Sequence, residues 1–134
     1  MAAELTLEVL TPWRKVVSKT CGEVTVPAVG GEIGILPEHT ALVSALSAGA
    51  LRFRVGDETE VLAVRGGFVH VSSNHVAVLA DEAALPSELD KAKIQTECTA
   101  LEEKILGADA SAEGLEKLLG DRDWLEAQRI VAGA

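Results

Sequence analysis

The chain has 134 residues, 48% of them hydrophobic, the size of one small domain or of a domain with an appendage. Its 12 Lys and Arg stand against 21 Asp and Glu, a net charge of −9, and that balance excludes sequence-independent binding to nucleic acid or anionic lipid, both of which rest on basic patches. Two Trp, two Phe and no Tyr leave the core to Val, Leu, Ile and Ala, and the longest apolar run falls far short of the roughly 20 residues of a membrane span.

The first element alternates with period two: Leu5, Leu7 and Val9 fall on one face, Thr6 and Glu8 on the other, and Thr11-Pro12 ends it. Val16-Val17 and Val24-Thr25-Val26 continue the pattern on either side of Cys21-Gly22, which predicts a hairpin. Gly30-Gly31-Glu32-Ile33-Gly34-Ile35-Leu36-Pro37-Glu38-His39 then packs three glycines, a proline and two carboxylates around three apolar residues. Such a stretch must turn, run briefly as strand and stop at Pro37, leaving a polar rim exposed.

Residues 41–46 read as another strand. Residues 49–55 alternate with Leu51, Phe53 and Val55 inward and Arg52 and Arg54 outward, and Gly56-Asp57 marks a tight turn. Three further strands, at 61–64, 67–71 and 75–79, are separated by Gly66-Gly67 and Ser72-Ser73-Asn74. Many short strands at close spacing predict a sandwich or barrel.

Past residue 80 the period changes. Pro86 stops the β region, and Ser87-Glu88-Leu89-Asp90 has the Ser-x-x-Asp form of a helix N-cap. Ile94, Cys98, Leu101 and Ile105 recur at helical spacing, 107–111 reads as a turn, and Leu115, Leu118, Leu119 and Leu125 mark a second helix running back. Gly114 and Gly120 weaken that helix by about 1 kcal/mol each. The Glu113–Lys117 and Arg122–Glu126 pairs return only about 0.2–0.5 kcal/mol each, so a break near Gly120 is expected. The fold class read from the residues is therefore α+β in two parts: an antiparallel β-sandwich over residues 1–86 and an antiparallel two-helix hairpin over 87–134. A hairpin so short must dock on something to be stable, which permits more than one docked state.

No catalytic constellation emerges. His39, His70 and His75 lie on strands or turns without a nucleophile motif, and the carboxylates are spread as a solvated helical face rather than a metal cluster. Cys21 and Cys98 lack metal-ligand spacing and read as two buried small hydrophobes in a reducing compartment. Met1-Ala2-Ala3-Glu4 opens acidic and resembles no signal or transit segment, so a soluble protein in the compartment where it is made is expected.

The order of these features, strand-strand-GEIGILPEH-strand-Gly49-strand-Gly66-Gly67-Phe68, then Asn74-x-Val76-x-Val78-Leu79-Ala80-Asp81 with Ala83 and two helices, resembles the epsilon subunit of F-type ATP synthases along nearly the whole chain. The resemblance implies a non-catalytic rotor component of a proton-driven synthase. It would bind the gamma subunit and the ring of c subunits at the cytoplasmic face of the bacterial inner membrane, or less expectedly at a thylakoid, without entering the bilayer. Gly31, Glu32, Ile33 and Gly34 match the family loop at the c ring, and His39 matches the family's His near the rotor interface. Glu38 and Ala41 replace the glycine and proline that flank that His in the family.

The resemblance also implies that the helices can extend into the alpha/beta head and restrain ATP hydrolysis, with Arg122 and Arg129 as the expected contacts. Residues 87–134 carry 11 acids against 6 bases, so that restraint is expected to be mild. A nucleotide motif of the family is matched at Leu89 and Asp90, but Lys93 stands for its Arg and Ile94 for its Ala. Lys lacks the planar fork of Arg, so no cofactor is expected; ATP is a weak regulatory candidate at most, and Asp90 is assigned to the helix N-terminus. Two alternatives remain from the residues alone: a sandwich-and-hairpin adaptor, or a nucleotide-sensing module.

Overall fold

In a computed structural model describing residues 4–107 and 112–133, the alternating segments become ten strands. These are β1 (Leu5–Leu10), β2 (Lys15–Cys21), β3 (Glu23–Ala28), β4 (Gly31–Ile35), β5 (Leu42–Ala45), β6 (Gly49–Val55), β7 (Glu58–Arg65), β8 (Phe68–Ser72), β9 (His75–Leu79) and β10 (Glu82–Ala84). They form two five-stranded sheets, in the orders β2-β1-β9-β8-β5 and β10-β7-β6-β3-β4. Neighbours are antiparallel except β1 and β9, which run parallel. The inner faces interleave Leu5, Leu7, Val9, Val69, Val71, Val76 and Val78 with Val24, Val26, Ile35, Leu51, Leu62 and Val64, all fully buried. Each such side chain stabilises the sandwich by about 1.5–3 kcal/mol relative to exposure.

The expected hairpin at Cys21-Gly22 is not one. β2 pairs with β1 and β3 pairs with β4 and β6, so the chain crosses from one sheet to the other at Gly22, whose N–H donates to the Arg54 carbonyl at 2.8 Å. Both flanking strands alternate into the same core, which is why periodicity could not distinguish a hairpin from a crossing. Gly66-Gly67 makes a second crossing, from β7 to β8, with both glycines at positive φ. Val55 is expected inward but lies partly exposed, at the end of β6 where the Gly56-Asp57 turn begins.

Two helices follow, α1 (Lys91–Gly107) and α2 (Ala112–Ala132). The N-cap is Asp90, not Ser87: its Oδ1 accepts the N–H groups of Ala92 and Lys93 at 3.0 and 3.2 Å, while Pro86–Glu88 forms a separate 3-10 turn. Asp90 prevails because Pro86 fixes the local backbone and Glu88 turns back to accept the Leu85 N–H. α2 passes Gly120 without a break, because the helix rests on β6 and β7 and packing outweighs the glycine's cost. Ala127 and Val131 are buried against Ala50 and Ala63, whereas Leu115, Leu118, Leu119 and Leu125 are only half-buried. Arg122 does not pair with Glu126, which is taken by Arg129 one turn later. Residues 108–111, part of the expected turn, and the side chain of Glu113 lie outside the described residues.

Candidate functional site

The glycine-rich stretch folds as expected, as turn, strand and turn. Its strand is β4, the outer edge of the second sheet: Val26 faces Ile33 and Pro27 faces Glu32 across the β3–β4 ladder. Ile33 is half-buried, while Gly31, Glu32 and Gly34 are exposed. Glu32 projects from the outer face and meets Arg52 of β6 at 3.5 Å. Edge backbone groups and an outward carboxylate thus share one accessible rim.

His39 does not sit with them. It lies in the turn past the far end of β4, whose five residues from Gly31 to Ile35 span roughly 13 Å at about 3.3 Å per step. There its N–H donates to the Leu36 carbonyl at 3.1 Å and its Nδ1 lies 2.7 Å from the Thr40 carbonyl. Glu38 precedes it at φ 67°, and its N–H donates to Asn74 Oδ1 at 2.6 Å, tying this loop to the β8–β9 turn. The residues expected at the tip are therefore strung along an edge, with Glu32 near one end and His39 in the turn beyond the other.

A feature not anticipated lies on the outer face of the first sheet. Register aligns Ala45, Phe68, Leu79 and Leu10 across β5, β8, β9 and β1, with Val43 in the next row. Phe68 is 56% exposed and Val43 66%, and Trp13, in the β1–β2 turn, is 84% exposed. α2 rests on β6 and β7 of the other sheet, and among the described residues no helix packs on this face. Alternation held the signal: if Val69, Val71 and Val78 point inward, Phe68 and Leu79 must point out. The same face carries Glu8, whose Oε1 lies 2.6 Å from His75 Nε2; that hydrogen bond holds the Glu8 carboxyl below the usual carboxylate range.

Arg122 and Arg129 line an open cavity of about 330 Å³ between the helices, together with Gln95, Cys98, Glu102, Asp123 and Glu126. Three carboxylates thus oppose two guanidinium groups, and Arg129 Nε already donates to Glu126 at 3.1 Å. Leu89, Asp90 and Lys93 lie elsewhere, at the start of α1. There Leu89 packs on the α2 docking patch and Asp90 is occupied by the helix N-terminus. Burial raises the pKa of Cys21 and, to a smaller extent of burial, that of Cys98, which is half-buried rather than buried. Thiols so placed are poor nucleophiles. No group of three potential metal ligands and no helix long and apolar enough to cross a membrane occurs among the described residues.

The family model described as the β-sandwich domain of the ATP synthase delta/epsilon chain matches residues 4–86. The ATP synthase epsilon chain of Carboxydothermus hydrogenoformans is 44% identical over 95 residues, 71% of this chain and 71% of that one. That of Desulfitobacterium hafniense strain Y51 is 35% identical over 129 residues, 96% of this chain and 87% of its own. Among solved structures, a chain of the Euglena gracilis mitochondrial ATP synthase OSCP/F1/c-ring assembly superposes with a TM-score of 0.80 at 20% identity, over 99% of this chain and 82% of that one. A chain of the Tetrahymena thermophila mitochondrial ATP synthase central stalk and c ring gives 0.66 at 13% identity, over 98% of both. At those identities the superpositions establish a common fold.

Proposed function

Because the chain belongs to the ATP synthase delta/epsilon family and matches its epsilon chains over nearly its full length, we propose that it is a non-catalytic central-stalk subunit of a proton-driven synthase. The observation that carries this reading is the division of labour between the two sheets. One outer face is covered by the chain's own helix, and the other offers Phe68, Leu79, Leu10 and Val43 to a partner. An apolar row of this kind on a folded surface marks an interface, and the gamma subunit is its occupant in this reading. The c ring meets the β4 edge through Gly31, Glu32, Ile33 and Gly34, with His39 closing the far end. The subunit sits peripherally at the cytoplasmic face of the membrane and transmits rotation to the catalytic head without residues that act on ATP.

The docked hairpin supports a regulatory role. Its contact with the sandwich centres on Ala50, Ala63, Ala127 and Val131, small side chains that bury little area. Released, α2 carries Arg122 and Arg129 to the alpha/beta head. The net charge of −5 over residues 87–134 opposes an acidic partner and keeps the restraint mild. Asp90, half of the weakly matched nucleotide motif, already serves the helix N-terminus, which argues against ATP as a regulatory ligand. The test is deletion of residues 87–134 in the assembled complex: coupling to gamma and c should persist while ATP hydrolysis rises. An unchanged hydrolysis rate refutes the restraint, and failure of the sandwich alone to capture gamma refutes the stalk assignment.

A further inference from the structure

One side chain joins the two parts of the molecule electrostatically. Arg65, the last residue of β7, points outward and places Nη2 3.1 Å from Asp121 Oδ1 on α2 and Nη1 3.4 Å from Glu82 Oε2 on β10. Among the described residues, Arg65–Asp121 is the sole ion pair between α2 and the sandwich. The Arg65 side chain is two-thirds covered, and Gly120 lies near its head: a β-carbon on Gly120 would sit 3.7 Å from Nη2. The other contacts of α2 are the alanine-rich patch, with Val61, Leu89 and Trp124 at its margin, and the 3-10 turn at Pro86–Glu88.

We infer that Arg65 is the catch that fastens the helical hairpin to the sandwich, and that Glu82 holds its charge when the hairpin leaves. Glu82 and Arg65 face each other in the β10–β7 ladder, so their geometry belongs to the sandwich and survives undocking. Asp121 belongs to the moving part. Opening therefore breaks one of the two ion pairs and never strands the guanidinium, which keeps the step small and reversible. The hinge lies just after the 3-10 turn. Arg14, in the β1–β2 turn, holds Glu88 at 2.7 Å and keeps that turn on the sandwich, leaving Leu89 and Asp90 as the first residues free to swing.

That the release matters to a rotary complex rests on the function proposed above, but the catch itself is a property of the isolated full-length chain. Amide exchange along α2, with β1 amides as the internal control, reads the opening equilibrium directly. R65Q and D121N should each speed exchange in α2 by about three-fold, as expected for a partly exposed ion pair. The double variant should open no further than either single one, and β1 should not change. E82Q should slow α2 exchange, because the guanidinium, no longer shared with Glu82, then serves Asp121 alone and has no carboxylate once the hairpin leaves. Additive effects of R65Q and D121N, no effect on α2, or equal acceleration in β1 would overturn the catch. An E82Q chain whose α2 exchanges at the normal rate or faster would overturn the sharing of Arg65 between Glu82 and Asp121. If R65Q opens α2 but leaves the ATPase rate of the assembled complex unaltered, the regulatory reading fails and the catch stands.

Discussion

Gly67 passes directly beneath the carbonyl of Leu79, so closely that a β-carbon at Gly67 would overlap the Leu79 oxygen. Its φ of 86° adds a backbone reason for glycine, and together these fix the point where the chain leaves β7 and enters β8. Gly67→Ala should cost about 2–5 kcal/mol of stability in urea denaturation, from left-handed strain and a displaced Leu79 backbone. Gly30→Ala, whose β-carbon meets nothing within 4 Å, is the matched control and should change stability by less than about 0.5 kcal/mol.

Gly120 is the opposite case. Its position within α2 is helical, and a β-carbon there would touch Arg65 at ordinary van der Waals distance. Gly120→Ala should therefore stabilise α2 by about 0.5–1 kcal/mol, visible as slower amide exchange between residues 115 and 125. Faster exchange would mean that the guanidinium has no room to yield.

Phe68 and Leu79 face outward and are about half exposed, so replacing both by Ser should cost about 1–3 kcal/mol and leave the sandwich folded. If gamma docks there, binding should weaken by about thirty-fold or more, the loss of roughly 2 kcal/mol at an interface anchor. Surface capture with immobilised gamma separates this from unfolding, which circular dichroism monitors in the same samples.

The pH response of the hinge follows from Arg14. Its guanidinium hydrogen-bonds Glu88, and with the Leu85 N–H it holds the Glu88 carboxyl below the usual carboxylate range. A carboxyl depressed in the folded state adds stability above its unfolded pKa, and that stability disappears as pH falls through the folded value. Arg14→Gln should raise the Glu88 midpoint toward the usual range in a carbon-13 titration and move the acid loss of hinge structure to higher pH. A midpoint that stays depressed would assign the effect to the Leu85 N–H alone.

Much of this architecture was legible in the chain. Leu5, Leu7, Val9, Leu51 and Phe53 announced their strands through alternation, and residues 30–39 announced a turn-strand-turn through glycine and proline. What alternation cannot encode is which sheet a strand joins, so the corners at Gly22 and Gly66-Gly67 read as hairpins or simple turns although both change sheet. The three-residue β10 is too short to show a period. In the helices, leucines drew attention from the residues that dock: Ala127 and Val131 matter because β6 and β7 offer only Ala50 and Ala63, a complementarity of small surfaces that no single segment displays. The β4 edge was visible as chemistry but not as geometry, since the separation of Glu32 from His39 depends on how the strand between them lies. Arg65 carried no local signal, because its partners lie 17 and 56 residues away.

The parallel pairing of Leu5–Leu10 with His75–Leu79 has a consequence for biosynthesis. β1 can find β2 as soon as both have left the ribosome, but its other side stays bare until β9 has followed. The nascent sandwich must therefore wait with leucines and valines open to water, a delay that favours slow, late closure and exposes the chain to aggregation. The helices follow β6 and β7 in the chain, so the strands on which the hairpin lands are always made before it.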